Sequence, residues 1–226
     1  MCGRYTLTQT EQIPQVFEVD EVRLPPRFNI APSQMVPAVT WADQNTRQLD
    51  LYRWGLIPYW AKDEKIGFKM INARCETVAS KTAFRNAFQR RRCLLPADGY
   101  YEWRAEADGK QPFLFRRKDR SLMALAGLWE RWKAPDGHLV LSCTILTTRP
   151  NPLSALVHDR MPVILPREGH GLWLDPSARQ SQLEELLKPY PAQEMEAVAV
   201  SRKVNSPHND GPEVMEEVEV DNPPRL

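Results

Sequence analysis

The residues best suited to covalent chemistry stand at the start of the chain. Removal of Met1 would make Cys2 the N-terminal residue, followed by Gly3 and Arg4. An N-terminal cysteine carries an amine of pKa about 7.7–8.0 and a thiol of pKa about 8.5, so both supply nucleophile near neutral pH. With an aldehyde, the amine can form a Schiff base and the sulfur can close on the same carbon to give a thiazolidine ring. Gly3 keeps the approach open, and the positive charge of Arg4 suits an anionic substrate.

These residues alone are better explained as a chain terminus without a chemical role. Evidence for a reactive cysteine must come from the rest of the chain. The chain has 226 residues, of which 42% are hydrophobic and 26% charged, an ordinary globular composition with enough apolar material for a sizeable core. A formal net charge of +1 gives no overall basic field, so a nucleic acid would have to bind a local patch. No apolar run approaches the roughly 18 residues needed to cross a bilayer. We therefore expect a cytoplasmic protein without membrane contact.

The four cysteines indicate neither a disulfide framework nor a structural metal. They form no C-x-x-C pair, and no histidine stands at zinc-ligand spacing from them. Cys93 and Cys143 lie in apolar runs, which predicts buried, inert thiols.

The hydrophobic pattern predicts an α+β fold rich in antiparallel strands, in a single domain over residues 1–226 without linkers or repeats. Strands are predicted near residues 3–7, 35–41, 48–54, 93–95, 99–104, 112–116, 122–129, 139–148 and 195–200. Helices are predicted near 9–17, with Thr8 and Glu11 as a capping box; near 78–90, with Thr77 as N-cap; and near 177–188. Arg90, Arg91 and Arg92 are interpreted as a solvated helix end. Residues from about 206 to 226 are expected to wrap around the domain or to fray.

Six short motifs occur in the order found in a known family. They are Met1-Cys2-Gly3-Arg4, Phe28-Asn29-Ile30-Ala31-Pro32, Trp54-Gly55-Leu56-Ile57-Pro58, Ile71-Asn72-Ala73-Arg74-x-Glu76-Thr77, Asp98-Gly99-Tyr100-Tyr101-Glu102-Trp103 and His158-Asp159-Arg160-Met161-Pro162. Each motif alone is weak, but together they resemble the SRAP family, the SOS-response-associated peptidases that process abasic sites. The similarity continues through Ser201-Arg202 into Asn209-Asp210-Gly211 and covers nearly the whole chain. It implies antiparallel sheets that form a barrel-like core flanked by a few helices.

The resemblance also implies a reaction and a catalytic set. The family traps the ring-opened aldehyde of an abasic site in single-stranded DNA as a thiazolidine with its N-terminal cysteine, here Cys2. Glu102 is expected to move the proton that dehydrates the carbinolamine, although a strand carboxylate alone would more often face solvent. Asn72 is expected to hold the Cys2 amine or the sugar, and His158 to protonate the deoxyribose oxygen. No metal and no organic cofactor are expected.

DNA contacts carry over from the resemblance position by position. The residues expected to hold phosphates beside the lesion are Arg4, Arg74 and Arg160. The residues expected on the surface where bases stack or are wedged apart are Asn29, Pro32, Trp60 and Met161. The expected partner is single-stranded DNA containing abasic sites, bound by a monomer that associates with the nucleoid when DNA is damaged.

Several alternatives stay open at the level of sequence. Cys75 stands close to Asn72 and could be a spectator or could compete with Cys2 under oxidation. The family name implies a peptidase, but the sequence requires at most one cleavage, of Met1 from Cys2, which another enzyme could perform. Strand-cleaving lyase activity and reversal of the crosslink are undecided. Other function classes are an N-terminal-cysteine amidohydrolase, a peptidase using Cys2 and His158, or a module that binds single-stranded DNA without covalent chemistry. The amidohydrolase lacks support because the chain contains neither the Asn-Gly nor the Gly-Asp dipeptide typical of such sites.

Overall fold

Strands dominate the chain in a computed structural model that describes residues 2–43 and 46–225. The strands of these residues are β1 (Tyr5–Leu7), β2 (Arg27–Ile30), β3 (Met35–Asp43), β4 (Thr46–Trp54), β5 (Asn72–Arg74), β6 (Arg92–Ala97), β7 (Gly99–Glu106), β8 (Gly109–Arg117), β9 (Met123–Lys133), β10 (Leu139–Thr148), β11 (Met161–Pro162), β12 (Ile164–Leu165) and β13 (Met195–Ala199). The α-helices are short: α1 (Ile13–Phe17), α2 (Arg85–Arg90), α3 (Gly169–Leu174) and α4 (Gln180–Glu185). Single 3₁₀ turns connect several of these elements.

Five strands close into a barrel. Antiparallel pairings run from β10 to β9, β6, β3 and β4, and β4 returns to β10 in parallel at Arg53–Ser142 and Trp54–Cys143. The predicted α+β fold with a barrel-like core is therefore confirmed, except that the closing pair is parallel. In β9, a Cβ at Gly127 would overlap the side chains of Leu95 and Cys93, so the barrel wall requires glycine there.

A second sheet carries the start of the chain. Its strand order is β13-β8-β7-β1-β2, so β1 lies between β7 and β2. Tyr5 pairs with Tyr100 of β7 on one side and with Ile30 of β2 on the other. Because β1 is an interior strand, Cys2 and Arg4 are carried into the protein beside Glu102. The sheet order thus brings together motifs that are far apart in sequence.

The first helix begins differently from the prediction. The hydroxyl of Thr8 donates to the carboxylate of Asp98 at 2.8 Å, and Asp98 also accepts from the Gln9 amide at 3.0 Å. The predicted capping box of Thr8 and Glu11 is therefore wrong, because Thr8 is bound across the sheet. The helical segment itself consists of a 3₁₀ turn over Thr10–Gln12 followed by α1.

The second predicted helix is shorter than expected, and its arginine-rich end is only partly solvated, since Arg90 is exposed and Arg92 is buried. Residues 77–84 form turns in which the Ser80 hydroxyl donates to the Thr77 carbonyl at 3.1 Å, and only Arg85–Arg90 are α-helical. Arg92 is 3% exposed and donates to the carbonyls of Phe88, Gln89, Trp173 and Asp175. The interpretation of this arginine as a solvated helix end is wrong, since its guanidinium is a buried anchor between α2 and the end of α3.

The residues after β13 return across the second sheet. Asp210 accepts from the backbone amides of Phe28 and Asn29, both at 2.7 Å, and pairs with Arg27. Farther along, Val214 is fully buried, and Val200 and Glu217 form an isolated antiparallel bridge. The returning segment of residues 204–210 therefore packs against β2 at the side of the sheet that carries Arg4. No described helix has the length and apolar character needed to cross a membrane.

Candidate functional site

Cys2 lies in the interior just before β1, and Asn72 holds its backbone. Cys2 is 0% exposed, and the Asn72 side-chain amide donates to the Cys2 carbonyl at 2.8 Å. Asn72 begins β5, which pairs in parallel with β10, so the barrel fixes its position. The other amide atom, Asn72 Oδ1, is buried without a hydrogen-bond partner among the described residues. It is an acceptor placed beside the start of the chain, suited to an N–H donor.

Burial governs the acidity of both Cys2 and Glu102. Burial, with a smaller effect of the negative charge of Glu102, raises the pKa of the Cys2 thiol well above its usual range. Glu102 lies on β7 and is 3% exposed. Burial raises the pKa of its carboxyl from 4.5 to about 7, and the negative charge of Asp159 acts in the same direction. Glu102 can therefore both give and take a proton near neutral pH.

His158 lies opposite Glu102, with its Nε2 atom 3.9 Å from Glu102 Oε2. The Arg160 backbone amide donates to His158 Nδ1 at 3.0 Å, and Asp159 Oδ1 lies at 3.0 Å from the same nitrogen. Burial lowers the pKa of His158, which favours the neutral ring at pH 7. With Nδ1 accepting from the backbone, the ring proton resides on Nε2, the nitrogen that faces Glu102.

An open cleft of about 430 Å³ runs beside this pair. The residues that line it are Arg4, Glu102, Trp103, Lys110, His158 and Asn205. Two of the predicted catalytic residues, Glu102 and His158, thus share the cleft with the predicted phosphate-binding Arg4. Among the described residues, no group of three or more histidine, cysteine, aspartate or glutamate side chains could hold a metal ion.

Arg4 is held in place by Asn29 and by the returning segment. Its Nη1 donates to Asn29 Oδ1 at 2.7 Å and to the Val204 carbonyl at 2.9 Å, and its guanidinium lies 5.7 Å from the Trp103 ring centroid. The indole of Trp103 in turn donates to Asn205 Oδ1 at 2.7 Å. The returning segment therefore fixes both the cation and the aromatic ring that form one wall of the cleft.

Two residues predicted on the base-contacting surface are instead in the interior. Asn29 is 0% exposed, and its amide nitrogen donates to the carbonyls of Val204, Ser206 and Asn209 at 2.7–3.2 Å. Met161 is also 0% exposed and belongs to the main hydrophobic core. The prediction that these two side chains lie on a surface against bases does not fit their burial. Asn29 instead connects the returning segment to Arg4.

The remaining predicted DNA contacts lie on or near the surface. Trp60 is 45% exposed, Pro32 is partly exposed, and Arg74 is exposed at the end of β5. Arg160 binds Glu76 with two hydrogen bonds of 2.6 and 2.9 Å, which lower the pKa of Glu76 to about 2. The charge of Arg160 is therefore already balanced by a carboxylate. Direct DNA contact by these four side chains stays a prediction.

Sequence reasoning did not select Lys110 or Asn205, although both line the cleft. Lys110 follows the turn between β7 and β8, and Asn205 lies about a hundred residues later in the returning segment. Neither belongs to a motif that carried the family resemblance. Only the pairing of β7 with β8 and the return of the chain past Val204 bring them to Glu102.

Comparison with known proteins agrees with this arrangement of motifs. A family model described as SOS response associated peptidase (SRAP) matches residues 1–207. The chain belongs to the SRAP family. Relatives include the abasic site processing protein YoqW of Bacillus subtilis, 47% identical over 96% of this chain and 99% of the relative. The abasic site processing protein YedK of Escherichia coli is 30% identical over 96% of this chain and 100% of its own length.

The chain is also similar to a vertebrate protein and to an experimental structure. The abasic site processing protein HMCES of Gallus gallus is 31% identical, over 88% of this chain and 68% of its own length. A crystal structure of a protein from Bacteroides thetaiotaomicron matches with a TM-score of 0.88 at 26% identity, covering 96% of this chain and 100% of that chain.

Proposed function

We propose that this SRAP protein processes abasic sites in single-stranded DNA by forming a covalent thiazolidine through Cys2. The observation that carries the proposal is the convergence of Asn72, Glu102 and His158 on the start of the chain. Three observations support it: the Asn72–Cys2 hydrogen bond of 2.8 Å, the charge interaction between Glu102 and the Cys2 thiol, and the Glu102–His158 approach of 3.9 Å. The names of the relatives, abasic site processing proteins in bacteria and vertebrates, support the same substrate.

The first step of the proposed reaction uses the Cys2 amine, which becomes available once Met1 is removed. The amine attacks the aldehyde carbon of the ring-opened sugar and forms a carbinolamine. Asn72 Oδ1, buried and without a described partner, accepts a hydrogen bond from this amine and orients its lone pair. Orientation of the amine matters because reaction with an aldehyde requires the lone pair to face the carbonyl carbon.

Glu102 moves the proton in the next step. With a pKa of about 7, about half of its population carries a proton near neutral pH. The protonated carboxyl protonates the carbinolamine hydroxyl, which leaves as water and gives the Schiff base. The carboxylate then takes the thiol proton as the sulfur adds to the same carbon and closes the ring. The overall reaction consumes the amine, the thiol and the aldehyde and releases one water.

His158 acts on the sugar before this attack. Its neutral ring carries the proton on Nε2, which faces the cleft, so it can donate to the ring oxygen of the closed deoxyribose. Opening moves the hemiacetal's own hydroxyl proton to the ring oxygen, and the hydrogen bond from His158 stabilises the negative charge that develops there. The product is the aldehyde, the only form that the amine can attack. Glu102 and His158 thus act on two different oxygens of the same sugar.

The raised thiol pKa argues against a cysteine peptidase. Cysteine peptidases depend on a thiolate whose pKa is lowered by a neighbouring positive charge. Here burial and Glu102 raise the pKa of Cys2, so the thiol is protonated at neutral pH. Attack by the amine, followed by sulfur closure with Glu102 as base, does not require a preformed thiolate.

Intact mass measurement after denaturation tests the proposal. Processed protein mixed with single-stranded DNA carrying one abasic site should gain the mass of the DNA strand. Cys2→Ala and a variant with one extra residue ahead of Cys2 should both lose the adduct. The first variant lacks the thiol, and in the second the amine of Cys2 is part of a peptide bond. Absence of an adduct with the processed wild-type protein would refute the thiazolidine mechanism. A non-covalent binding module would release its DNA on denaturation.

A lyase activity is part of the same proposal. The Schiff base precedes sulfur closure, and β-elimination from it would cut the DNA strand. In Cys2→Ala the amine remains but the sulfur is missing, so borohydride should trap a Schiff base and strand cleavage should increase. Absence of both products would refute the proposed lyase activity but would not contradict thiazolidine formation.

A further inference from the structure

One cation in the cleft has no side-chain partner among the residues that the structure describes. Lys110 lines the cleft beside Arg4, Trp103 and His158, and its side chain is exposed. Within the described residues it forms no ion pair and no hydrogen bond through its ammonium group. A lysine that lines a cleft and has no carboxylate beside it keeps its full positive charge. Such a charge attracts an anionic ligand to the cleft.

The other cations nearby are already engaged. Arg160 is paired with the carboxylate of Glu76, whereas Arg4 donates through Nη1 to the neutral oxygens of Asn29 and Val204 and so keeps its positive charge. Near Lys110, Arg104 of β7 pairs with Glu106 at 2.7 Å, and Arg202, which follows β13, pairs with Asp108 of the β7–β8 turn at 2.8 Å. Among the described residues, Arg4 and Lys110 are therefore the cleft-lining arginine and lysine whose charges no carboxylate balances, and the ammonium group of Lys110 makes no contact that would fix it before a ligand binds.

The backbone that carries Lys110 is fixed. The strands β7 and β8 form a hairpin in which Glu106 pairs with Gly109 and Ala105 with Lys110, with only Ala107 and Asp108 in the turn. Gly109 has a φ of 128°, a conformation that only glycine adopts readily. The ion pair of Asp108 with Arg202 ties the turn to the segment that precedes Val204. The ordered backbone thus fixes where the Lys110 side chain begins, at the edge of the cleft that it lines.

We propose that Lys110 is a phosphate-binding residue for the DNA strand as it leaves the cleft past Trp103. This inference rests on the proposed function, because it identifies where the strand continues beyond the abasic sugar. A lysine ammonium binds a phosphate as a point charge without fixed geometry, so the contact supplies affinity rather than base selection. Trp103, held by Asn205, offers its ring to the neighbouring base on the same wall.

The experiment measures non-covalent binding of a Cys2→Ala protein to a short single strand. The strand carries a tetrahydrofuran abasic analogue, which has no aldehyde. Neutralising one phosphate contact on a single strand lowers the slope of log affinity against log salt by about 0.7. Lys110→Gln should therefore bind more weakly, and its deficit should shrink roughly 2.6-fold between about 50 and about 200 mM salt. Lys110→Arg should restore both the affinity and the slope.

Lys118→Gln is the matched control. Lys118 is exposed, has no described side-chain partner and follows β8 at its other end, about 26 Å from Lys110 along the strand. It should leave the affinity and the slope unchanged. An unchanged slope in Lys110→Gln, or an equal loss in Lys118→Gln, would overturn the assignment of Lys110. Crosslinking by the protein that retains Cys2 is measured separately. If the adduct forms but the salt slope of Lys110→Gln is unchanged, only the assignment of Lys110 is rejected. If no adduct forms, the proposed function is rejected.

Discussion

Replacing Glu102 by Gln should raise the stability of the folded protein and at the same time lower its rate of crosslinking to DNA. Burial raises the pKa of Glu102 from 4.5 to about 7, so the folded state holds a proton that the unfolded chain gives up. Below pH 4.5 the free energy of unfolding equals that of a protein with a neutral side chain at position 102. It falls as the pH rises towards 7. Above pH 7 the remaining difference stays constant. A pKa difference of one corresponds to about 1.4 kcal/mol, so ionised Glu102 costs about 3 kcal/mol at pH 8. Glu102→Gln removes that cost.

Thermal unfolding measures the effect. For a chain of this length, about 3 kcal/mol corresponds to roughly 6–12 °C in Tm. The Tm of Glu102→Gln should match that of the wild type near pH 4.5 and exceed it by this amount near pH 8. Glu11→Gln, which changes an exposed carboxylate, is the control and should show no such divergence. A Tm difference that does not vary with pH would refute the reasoning, since Glu102 would then have an ordinary pKa.

The crosslinking rate of the same variant should move in the opposite direction. General acid–base catalysis contributes about 10²–10⁴-fold, so Glu102→Gln should lose a factor in this range near pH 7. The wild-type rate should fall above pH 7 as the carboxyl loses its proton, and this alkaline limb should be absent in the variant. A rate within a few-fold of wild type, or a retained alkaline limb, would assign the proton transfer to another group.

Three further variants test the supports of the site. Asn72→Ala removes the hydrogen bond to the Cys2 carbonyl and the free Oδ1 acceptor, and should slow adduct formation with saturating DNA by about 10-fold or more; an unchanged rate would contradict its role. Asn29→Ala removes one of the two acceptors of Arg4 Nη1 and the amide donor shared by three carbonyls, and should cost about 2–4 kcal/mol by denaturant unfolding while also weakening DNA binding. Gly127→Ala should destabilise the barrel by about 1–3 kcal/mol because its Cβ overlaps Leu95 and Cys93, and a neutral effect in thermal unfolding would show that the wall can relax.

The sequence was most informative where chemistry depends on residue type alone. An N-terminal cysteine is capable of aldehyde chemistry whatever the fold, and the six ordered motifs favoured that chemistry over an unremarkable terminus. The strands β3, β4, β7 and β10 follow from local pattern. The first half of the predicted helix at 78–90 failed because Ser80 bonds to the Thr77 carbonyl, an option that periodicity does not register. Local sequence patterns therefore predicted the presence of strands and helices better than the residues at which they begin and end.

The sequence was least informative where a side chain's surroundings come from distant segments. Asn29 was assigned to a surface, but three carbonyls of the returning segment, some 175–180 residues later, converge on its amide. The charge of Arg92 indicated solvent, yet carbonyls of α2 and of the end of α3 enclose it. The parallel closure of β4 on β10 likewise lacks any local signature, because parallel neighbours are joined by long connections rather than hairpins.

The bonds between Arg4 and the returning segment have a consequence for protein synthesis. Arg4 is among the first residues made, whereas Val204, Asn205 and Asp210, which hold its wall of the cleft, are among the last. At about 5–20 residues per second, roughly 10–40 s separate the two. A nascent chain on the ribosome therefore presents Cys2 and Arg4 before the segment that anchors Arg4 has been made. The wall of the cleft that Arg4 and Trp103 form can assemble only when translation is nearly complete.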